Sequence, residues 1–329
     1  MKGVRQGDPL SPYLFILCIE TLARSIRTDN EISGFIFGNA HIKQVLYADD
    51  MTLFVKDKDS LIQLNEKFQT FAIVSGLQIN RDKTYVLLLG PLHGKEIVTP
   101  FGKKVRLIKI LGIHFSMDPE VQERINYKEI LSKIKHLLTW WKQRDLTLMG
   151  KIQLIKMFVI SKLIYISSLT PIPQGVIADL NRLTFDFLWH GKDKIKREVT
   201  FLKYEKGGLK MIDFQLFIRT QRIMWIKRLF EGESMMSWKR VFKFLTRQVG
   251  GLLVFFCNIS MELLNLSLPV FYREMLEAWI GSKDFLLKET GSRNQIFFNN
   301  RYIRINGQIY YNETLFLKNI YQKKNFEFF

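Results

Sequence analysis

Two adjacent aspartates, Asp49 and Asp50, stand between two short apolar runs at residues 45–48 and 51–55. Short apolar runs on either side of so brief a polar break predict two antiparallel strands joined by a tight turn, with both carboxylates at the turn. Adjacent carboxylates repel each other unless a cation or solvent offsets their charge, and hard oxygen ligands suit Mg²⁺. For this pair taken alone, a solvated turn without a ligand is the alternative.

The residues around this hairpin predict a mixed α/β region that extends to about residue 120. Ser11 is the predicted N-cap of a helix, Pro12 its first residue, and Gly76 stands where a second helix ends. The predicted elements are helices at residues 11–27 and 60–74 and strands at residues 77–80, 84–89 and 109–115.

The pattern beyond Asp118 is helical. Apolar residues recur at helical spacing in two segments, and a basic segment rich in aromatic residues follows. These segments span residues 130–141, 152–166 and 185–213. Pro171 and Pro173 end the second helix. From about residue 234 we expect helices and strands of uncertain order, and the fold class predicted for the whole chain is α+β.

The net charge favours a polyanionic partner. Forty-nine Lys and Arg residues against 31 Asp and Glu residues give a formal net charge of +18 at pH 7. Each phosphate that a cationic side chain neutralises releases condensed counterions, so nucleic acid is the expected partner. A merely soluble basic protein and a membrane-surface protein are the alternatives that charge alone leaves open.

Cysteine usage and hydropathy exclude some classes of protein. Cys18 and Cys257 are the only cysteines of the sequence, so neither a disulfide framework nor a Cys-rich zinc knuckle is expected. The most apolar stretch, residues 252–271, is interrupted by polar residues such as Glu262 and by Pro269. We interpret this stretch as a buried segment rather than a membrane span, and we expect no membrane partner.

Four short elements in a fixed order resemble those of reverse transcriptases. Tyr47-Ala48-Asp49-Asp50 resembles their Tyr-x-Asp-Asp box, and Arg5-Gln6-Gly7-Asp8-Pro9 with Ser11-Pro12 resembles the Arg-Gln-Gly-x-Pro-x-Ser-Pro element upstream of it. Downstream, the segment from Gly76 to Thr84 resembles the Gly-Leu-x-Ile-Asn-x-x-Lys-Thr element, and Leu111-Gly112-Ile113-His114-Phe115 is similar to the Leu-Gly strand that follows it.

Further segments are similar to the LINE-type enzymes of non-LTR retrotransposons rather than to retroviral enzymes. Trp140-Trp141 with residues 144–151 is similar to their thumb signature. Phe187-Leu188-Trp189, Gly207-Gly208-Leu209 and Asp213 resemble the segment after the thumb. The resemblance covers about residues 2–230.

The resemblance implies a division of the chain into four parts. A partial polymerase palm, an antiparallel sheet with helices, would occupy residues 1–120, and a helical thumb residues 121–175. A basic post-thumb segment would occupy residues 176–230. Residues 231–329 match no motif, and their role is left open.

The implied activity is that of an RNA-directed DNA polymerase, which uses two Mg²⁺ ions, an RNA template, a DNA primer and dNTPs. Asp49 and Asp50 would hold the metal ions. Lys83 would protonate the leaving pyrophosphate, and a plain surface lysine is the alternative. The residues expected at the nucleotide and template base are Arg5, Gln6, Gly7 and Tyr47, and those expected at the primer end are Leu111 and Gly112.

Aromatic and basic residues of the thumb and post-thumb segments would contact the nucleic-acid backbone. They are Trp140, Lys142, Arg144, Lys151, Lys192, Lys194, Lys196 and Arg197. Burial in a helix core is the alternative for the tryptophan, and a solvated charge run is the alternative for the lysines.

The family carries a further metal-binding aspartate on a strand ahead of the Arg-Gln-Gly element, and this sequence begins just before that element. We therefore expect the chain to be inactive by itself, and a non-catalytic remnant that binds RNA or RNA–DNA hybrid is the second hypothesis. An organellar maturase shares the Tyr-Ala-Asp-Asp box, but the Trp-Trp and Gly-Gly-Leu segments argue against it. Nuclear or cytoplasmic residence is expected from the family alone.

Overall fold

The computed structural model describes residues 7–92, 98–231, 236–249, 251–256 and 268–282, together with the backbone of residues 304–305 and 308–309. The described residues are mainly helical, with the strands in small sheets, which confirms the α+β class. It divides into two compact units, Met1–Gln122 and Glu123–Phe329. The assignment of segments to palm, thumb and post-thumb region stays a prediction.

The first unit contains two long helices and eight short strands among the described residues. In chain order these are α1 (Ser11–Thr28), β1 (Phe35–Phe37), β2 (Ala40–Ile42), β3 (Gln44–Tyr47), β4 (Asp50–Leu53), α2 (Lys58–Ser75), β5 (Tyr85–Leu87), β6 (Lys103–Val105), β7 (Leu107–Ile110) and β8 (Ile113–Ser116).

Helix α1 begins one residue earlier than predicted. Ser11 is already helical, so the N-cap position is occupied by Leu10, and the prediction of Ser11 as N-cap was wrong. The turn is closed by Asp8, whose carboxylate accepts a hydrogen bond from the amide of Leu10 at 2.8 Å. The carbonyl of Asp8 accepts another from the amide of Ser11 at 3.1 Å. Pro12 lies in the first turn, where no intrahelical donor is needed.

Helix α2 has a well-defined cap at each end. The Asp57 carboxylate accepts a hydrogen bond from the amide of Ser60 at 2.8 Å. Gly76 adopts φ +73° and donates its amide hydrogen to the carbonyl of Ala72 at 2.9 Å. The predicted end of this helix at Ser75-Gly76 is confirmed, and its start lies two residues ahead of the predicted one, at Lys58 rather than residue 60.

The two helices of the first unit pack on one apolar core. Buried residues of α1, of α2 and of two loops form the centre: Leu22, Ile26, Ile32, Leu64 and Phe101. Residues of other elements pack against this centre, among them Met51 and Leu53 of β4, Ile79, and Val86 of β5. Strand β4 and the segment around β5 are therefore anchored on the same set of helical residues.

The strands pair two by two. Among the described residues β1–β2, β3–β4 and β7–β8 are antiparallel pairs, and β5–β6 is a parallel pair. The hairpin β1–β2 was not predicted from the sequence. The antiparallel sheet structure expected here is thus present as small separate pairs, and β4 and β5 contribute residues to the helical core.

Two strand predictions in this unit were wrong. Residues 77–80 form no strand; instead the side chain of Asn80 accepts hydrogen bonds from the amides of Asp82, at 3.1 Å, and Lys83, at 3.2 Å, which makes a turn. Residues 109–115 belong to two strands rather than one, because Leu111 and Gly112 have φ of +46° and +84° and reverse the chain between β7 and β8.

The described residues of the second unit are mainly helical. Its elements are α3 (Pro119–Trp141), which starts in the first unit, α4 (Leu148–Leu154), α5 (Ile160–Leu169), α6 (Gln174–Trp189), α7 (Arg197–Phe201), α8 (Phe214–Phe230), α9 (Ser237–Leu245), α10 (Val270–Ile280) and the short strands β9 (Arg304–Ile305) and β10 (Gln308–Ile309). One π turn, Ile155–Val159, joins α4 to α5. The predicted end of the second helix before Pro171 is confirmed, since α5 ends at Leu169.

The C-terminal helices share a core with α8. Its buried residues come from α8, α9, α10 and the segment 251–268: Ile226, Leu229, Phe242, Val254, Phe255, Leu268, Met275 and Leu276. Of the apolar stretch 252–271 that we expected to be buried, Val254, Phe255 and Leu268 are buried, Val270 is 50% exposed, and residues 257–267 lie outside the described residues. Helix α10 therefore belongs to the packing of α8.

One helical stretch among the described residues is long and apolar enough, by length and composition, to cross a membrane. It is Leu148–Leu169, which has a mean hydropathy of 1.5 and is 39% buried inside the protein over the apolar window. A core helix of a soluble protein can reach the same values, so this is weak support for a membrane span. The expectation that no membrane is involved likewise has no support from the structure.

The cap at Asp57 generates a test of local stability. Replacing Asp57 by Ala should lower the free energy of unfolding by about 1 kcal/mol, because the Ser60 amide loses its acceptor. The hydrogen bonds from the backbone and side chain of Ser60 hold the pKa of Asp57 below its ordinary value of 3.8. The stabilisation is therefore present above the unfolded pKa and is lost as the pH falls through the folded pKa. Urea unfolding at neutral pH and in acid measures both effects.

Asp57→Asn is the matched control, because an asparagine side chain still accepts from the Ser60 amide. We expect it to retain most of the stability at neutral pH and to lose the acid dependence of this cap. Equal unfolding midpoints for the wild type and Asp57→Ala at neutral pH would contradict the capping role.

Candidate active site

The two aspartates lie at the tip of the hairpin formed by β3 and β4. Tyr47 pairs with Asp50 and Leu46 with Met51, so Ala48 and Asp49 form the two-residue turn. Ala48 adopts φ +53°. The predicted tight hairpin is confirmed, with one refinement, since Asp50 is the first residue of β4 and only Asp49 lies in the turn.

The hairpin has an apolar face and an open face. Residues directly opposite each other in an antiparallel pair share a face, so Tyr47 and Asp50 lie together, and Leu46 and Met51 lie on the other side. Tyr47 is 66% exposed, whereas Met51 packs against the core. Both carboxylates are exposed. The hairpin is thus fixed from behind and presents its two carboxylates to solvent.

Polar contacts tie the hairpin to the end of α1. The side-chain amide of Gln44 donates to the carbonyl of Ala23 at 2.7 Å. The ammonium of Lys43 donates to the carbonyls of Arg27, at 3.2 Å, and Asp29. Lys43 is buried, and its burial lowers the pKa of its ammonium group. Sequence reasoning missed this lysine, because nothing in the local pattern distinguishes it from a surface cation.

Lys83, the predicted general acid, is exposed in the turn that Asn80 organises. Ile79 on one side of it and Val86 on the other pack against the same core as Met51. The carboxylate hairpin and the lysine turn are therefore anchored to one group of residues. None of the ion pairs within the described part of the chain joins Lys83 to Asp49 or Asp50.

The structure describes only some of the other residues predicted to contact the nucleotide or the primer. Arg5 and Gln6 lie outside the described residues. Gly7 is exposed and adopts φ +90°, with nothing within 4 Å of the place where a Cβ would lie. Its backbone conformation is thus sufficient reason for a glycine here. Leu111 and Gly112, predicted at the primer end, form the turn of β7–β8, and β7 contacts β5.

The first residues of the second unit that were predicted to contact the nucleic-acid backbone belong to an aromatic cluster. Trp140 is 49% exposed, and the guanidinium of Arg144 lies 5.2 Å from the centre of its ring. Trp141 packs against Trp140 and stacks on Phe158, with ring centres 6.2 Å apart. Lys142 forms an ion pair with Asp186 at 2.9 Å. Trp140 and Arg144 therefore remain accessible to a ligand, whereas the ammonium group of Lys142 is partly occupied by its ion pair with Asp186.

The structure contradicts the expected accessibility of Lys151. This lysine is only 7% exposed, and its ammonium donates to the carbonyl of Leu188 at 3.4 Å, near the end of α6. Burial lowers the pKa of its ammonium group. A cation enclosed in this way satisfies a helix-end carbonyl and is not placed to meet a phosphate, so we remove Lys151 from the candidate nucleic-acid surface.

The basic run after α6 is exposed. Lys192, Lys194 and Lys196 all lie on the surface. Arg197 pairs with Asp193 at 2.7 Å, and its guanidinium lies 4.5 Å from the centre of the Phe185 ring. Of the cations of this segment, the three lysines are therefore the most accessible to a ligand, whereas Arg197 also has a structural role.

The Gly-Gly-Leu segment after this run has a steric explanation. Gly208 lies against the backbone of Leu202, so that an added Cβ would overlap the carbonyl oxygen of Leu202. The amides of Gly208 and Lys210 donate to the carbonyls of Lys203 and Leu202, at 3.0 and 2.9 Å. Close approach of two backbones, rather than ligand contact, accounts for the glycine at this position.

The two carboxylates of the hairpin would supply only part of the coordination shell of a hard divalent cation. Two exposed carboxylates offer oxygen ligands of the type that Mg²⁺ prefers. Within the part of the chain that the structure describes, no group of three or more His, Cys, Asp or Glu side chains could hold a metal ion. Asp49 and Asp50 would therefore need further oxygen ligands from water or from a phosphate substrate.

Comparison with known proteins agrees with this geometry. Residues 1–115 match the family described as reverse transcriptase (RNA-dependent DNA polymerase). A 149 kDa protein of transposon TX1 from Xenopus laevis is 29% identical over 84% of this chain and 22% of its own length. The Pol polyprotein of the retrotransposable element R2DM from Drosophila melanogaster is 37% identical over 26% of this chain and 8% of its own length.

A third relative extends the likeness along the chain. The Pol polyprotein of the R2 element of Popillia japonica is 23% identical over 65% of this chain and 31% of its own length. The chain thus spans about a fifth of the TX1 protein and less than a third of these R2 proteins. The TX1 match also reaches well beyond the 115 residues of the family match, into the helical unit.

The carboxylate pair on the exposed hairpin tip lies within the residues that match this family. The chain is therefore similar to the reverse transcriptases over residues 1–115, and to proteins of the transposable elements TX1 and R2 over most of its length.

The turn between β7 and β8 allows a test of the local geometry. Gly112→Ala should destabilise the first unit by about 1–2 kcal/mol, because an L-residue with a Cβ is strained at φ +84°. Thermal and urea unfolding of the full chain measure the loss.

Leu111→Gly, in the same turn, is the control. It relieves the strain at φ +46° and should leave the unfolding midpoint unchanged or slightly higher. An unchanged midpoint for Gly112→Ala would show that the turn is formed differently.

Proposed function

We propose that this chain carries the aspartate pair and part of the nucleic-acid-binding surface of an RNA-directed DNA polymerase. The reaction is attack of a primer 3′-hydroxyl on the α-phosphorus of a dNTP, with pyrophosphate as the leaving group and RNA as the template. The observation that carries the proposal is the exposed tip of β3–β4, which holds Asp49 and Asp50 while Met51 and Leu53 pack behind it. A phosphate-bearing substrate can reach both carboxylates from solvent.

Reverse transcriptases use divalent metal ions. Asp49 and Asp50 would hold such ions here, since they place two hard oxygen ligands next to each other. When bound, Mg²⁺ lowers the pKa of an attacking hydroxyl and neutralises charge on the phosphates. The contribution of the protein is to hold the carboxylates on a hairpin anchored to the helical core, where no ion pair among the described residues engages them.

Further residues of the first unit would serve the nucleotide and the primer. Tyr47 shares the open face of the hairpin with Asp50, which suits a contact with the incoming nucleotide. Lys83 is exposed on a turn fixed to the same core, which suits proton donation to pyrophosphate. Arg5, Gln6 and Gly7 would contact nucleotide and template, and the Leu111–Gly112 turn would support the primer end.

Template and primer would bind through phosphate contacts as well. The family binds an RNA template and a primer. In the second unit Trp140, Arg144 and the run Lys192, Lys194 and Lys196 are exposed, and the sequence carries a net charge of +18. These features support a duplex-binding role for residues 121–230 as thumb and post-thumb region.

We further propose that the 329-residue polypeptide does not extend a primer by itself. The resemblance implies a third carboxylate beside the pair, and no described residue completes a group of three with Asp49 and Asp50. Loss of one ligand removes most of the rate in a site of this kind, because the ions both position and neutralise the transition state. The same observation favours a second candidate function, a protein that binds RNA or RNA–DNA hybrid without catalysis.

Terbium luminescence tests the cation site directly. Tyr47 lies opposite Asp50, so its phenol should sensitise Tb³⁺ bound at the hairpin tip, and Mg²⁺ should compete. Asp49→Asn and Asp50→Asn should each abolish the sensitised emission, whereas Asp118→Asn, at an exposed helix start, should not. Tyr47→Phe should reduce emission and leave Tb³⁺ affinity unchanged. Emission that survives both hairpin substitutions would place the cation elsewhere.

Primer extension separates the two functions. With RNA template, DNA primer, dNTPs and Mg²⁺, the purified chain should give no extension, and it should bind the hybrid equally well with Asp49 or Ala at position 49. Extension that depends on Asp49 would overturn the proposed inactivity and support the polymerase. Absence of both extension and hybrid binding would contradict both functions.

The salt dependence of binding tests the lysine run. The affinity for hybrid should fall as the salt concentration rises. In the double variant Lys194→Gln with Lys196→Gln, the plot of log affinity against log salt concentration should be less steep by about two, because two phosphates would no longer be neutralised by lysine. Lys56→Gln with Lys58→Gln removes the same charge from exposed lysines near the start of α2 and is the matched control. If both double variants change the slope equally, net charge rather than this segment determines binding.

A further inference from the structure

The C-terminal end of α5 is satisfied by side chains from α8. A helix leaves its last carbonyls without intrahelical partners. The guanidinium of Arg222 donates to the carbonyls of Ser167, at 2.5 Å, and Thr170, at 2.8 Å. The indole of Trp225 donates to the carbonyl of Ser168 at 2.6 Å, and the amide of Gln221 to that of Ile164 at 3.1 Å. Helix α8 therefore caps α5 from the side.

Arg222 performs this capping while almost fully buried. It is 1% exposed, and a buried guanidinium is costly unless a counterion and hydrogen-bond acceptors surround it. The counterion is Glu274 of α10, whose Oε2 lies 2.8 Å from Nε and 2.7 Å from Nη2 of Arg222. The ring of Phe271, on the same helix, lies 4.5 Å from the guanidinium.

Glu274 also contacts the chain just beyond α5. Its Oε1 accepts a hydrogen bond from the amide of Ile172 at 3.1 Å. Burial raises the pKa of this carboxyl, although Arg222 opposes the rise. A contact from α3 reaches the same segment: the hydroxyl of Tyr127 lies 3.1 Å from the hydroxyl of Thr170. Helices α3, α5, α8 and α10 thus meet at residues 167–172.

The helical stretch fixed at this junction has exposed apolar residues of its own. Met157 is 59%, Ile164 47% and Tyr165 48% exposed, and Lys162 is exposed beside them. Through the π turn, α4 and α5 form one continuous helical stretch. The same stretch carries Phe158, which stacks on Trp141 of α3 beside the exposed Trp140.

We infer that Glu274 is a positioning residue: acting through Arg222, it fixes the end of α5 and so the helical stretch on which Trp141 stacks, next to Trp140 and Arg144 of the proposed nucleic-acid surface. The inference rests on the proposed binding function. It gives a role to α10, in a region that carries no recognisable motif. Helix α10 contributes no contact to nucleic acid in this scheme and acts only through the buried pair.

Three variants of the full chain test the inference. Glu274→Ala leaves the guanidinium without its counterion and should weaken affinity for RNA–DNA hybrid by about tenfold. Glu274→Gln keeps an acceptor for the Ile172 amide and should restore part of the affinity. Glu277→Gln, one turn further along α10, is the control and should bind as the wild type does.

The double variant Arg222→Met with Glu274→Met distinguishes positioning from stability. A well-packed apolar pair often replaces a buried ion pair without loss of stability, but it cannot cap the carbonyls of Ser167 and Thr170. Because these buried carbonyls lose their donors, we expect a lowered unfolding midpoint, though less lowered than for Glu274→Ala, together with weakened hybrid affinity at a temperature at which the variant is folded. Wild-type affinity in this folded variant would overturn the inference.

The indole hydrogen of Trp225 reports on the junction without any ligand. Its hydrogen bond to Ser168 should protect it from exchange in the wild type, and Glu274→Ala should accelerate that exchange. If the wild type binds no hybrid, the proposed function fails while this signal still tests the positioning. Unchanged exchange and unchanged affinity in Glu274→Ala would overturn the inference, whatever the unfolding midpoint.

Discussion

The packing of β4 against α1 and α2 is the contact on which the candidate active site depends. Met51 and Leu53 are on the core face of the hairpin, and the core residues Leu22, Ile26 and Leu64 belong to the two helices. Because side chains alternate along a strand, burying Met51 places Asp50 on the open side. A slip of one residue in register would bury the aspartate and expose the methionine. The register of one short hairpin therefore decides whether Asp50 can face a ligand from solvent.

Part of this arrangement could be predicted from the sequence. The hairpin at residues 45–55 was predicted because apolar runs flank a brief polar break, and the end of α2 because Gly76 follows an amphipathic run. The failures have local causes. Leu77 and Ile79 alternate like a strand, but Asn80 competes through its side chain and makes a turn. The chain reverses at Leu111-Gly112, within a segment for which strand propensity alone predicted one continuous strand.

Other features depend on contacts between residues far apart in the sequence. Lys151 reads as a surface cation next to a thumb-like motif, yet the end of α6 encloses it. The pair Arg222–Glu274 joins residues 52 positions apart, and no periodicity of either helix marks them as partners. Both cases follow one rule, that a buried cation in this unit is placed where helix carbonyls lack partners. That rule concerns the folded chain, so it could be recognised only with the helices in place.

The proposed function requires that the tip of β3–β4 meets the end of the primer. The most direct measurement is photo-crosslinking from the 3′-terminal nucleotide of a primer annealed to RNA, with the attached peptides mapped by mass spectrometry. We predict crosslinks to the tip residues Tyr47, Ala48 and Asp49 and to the Leu111–Gly112 turn, and their disappearance when unlabelled hybrid competes. Crosslinks confined to other surfaces of the chain would contradict the proposed function.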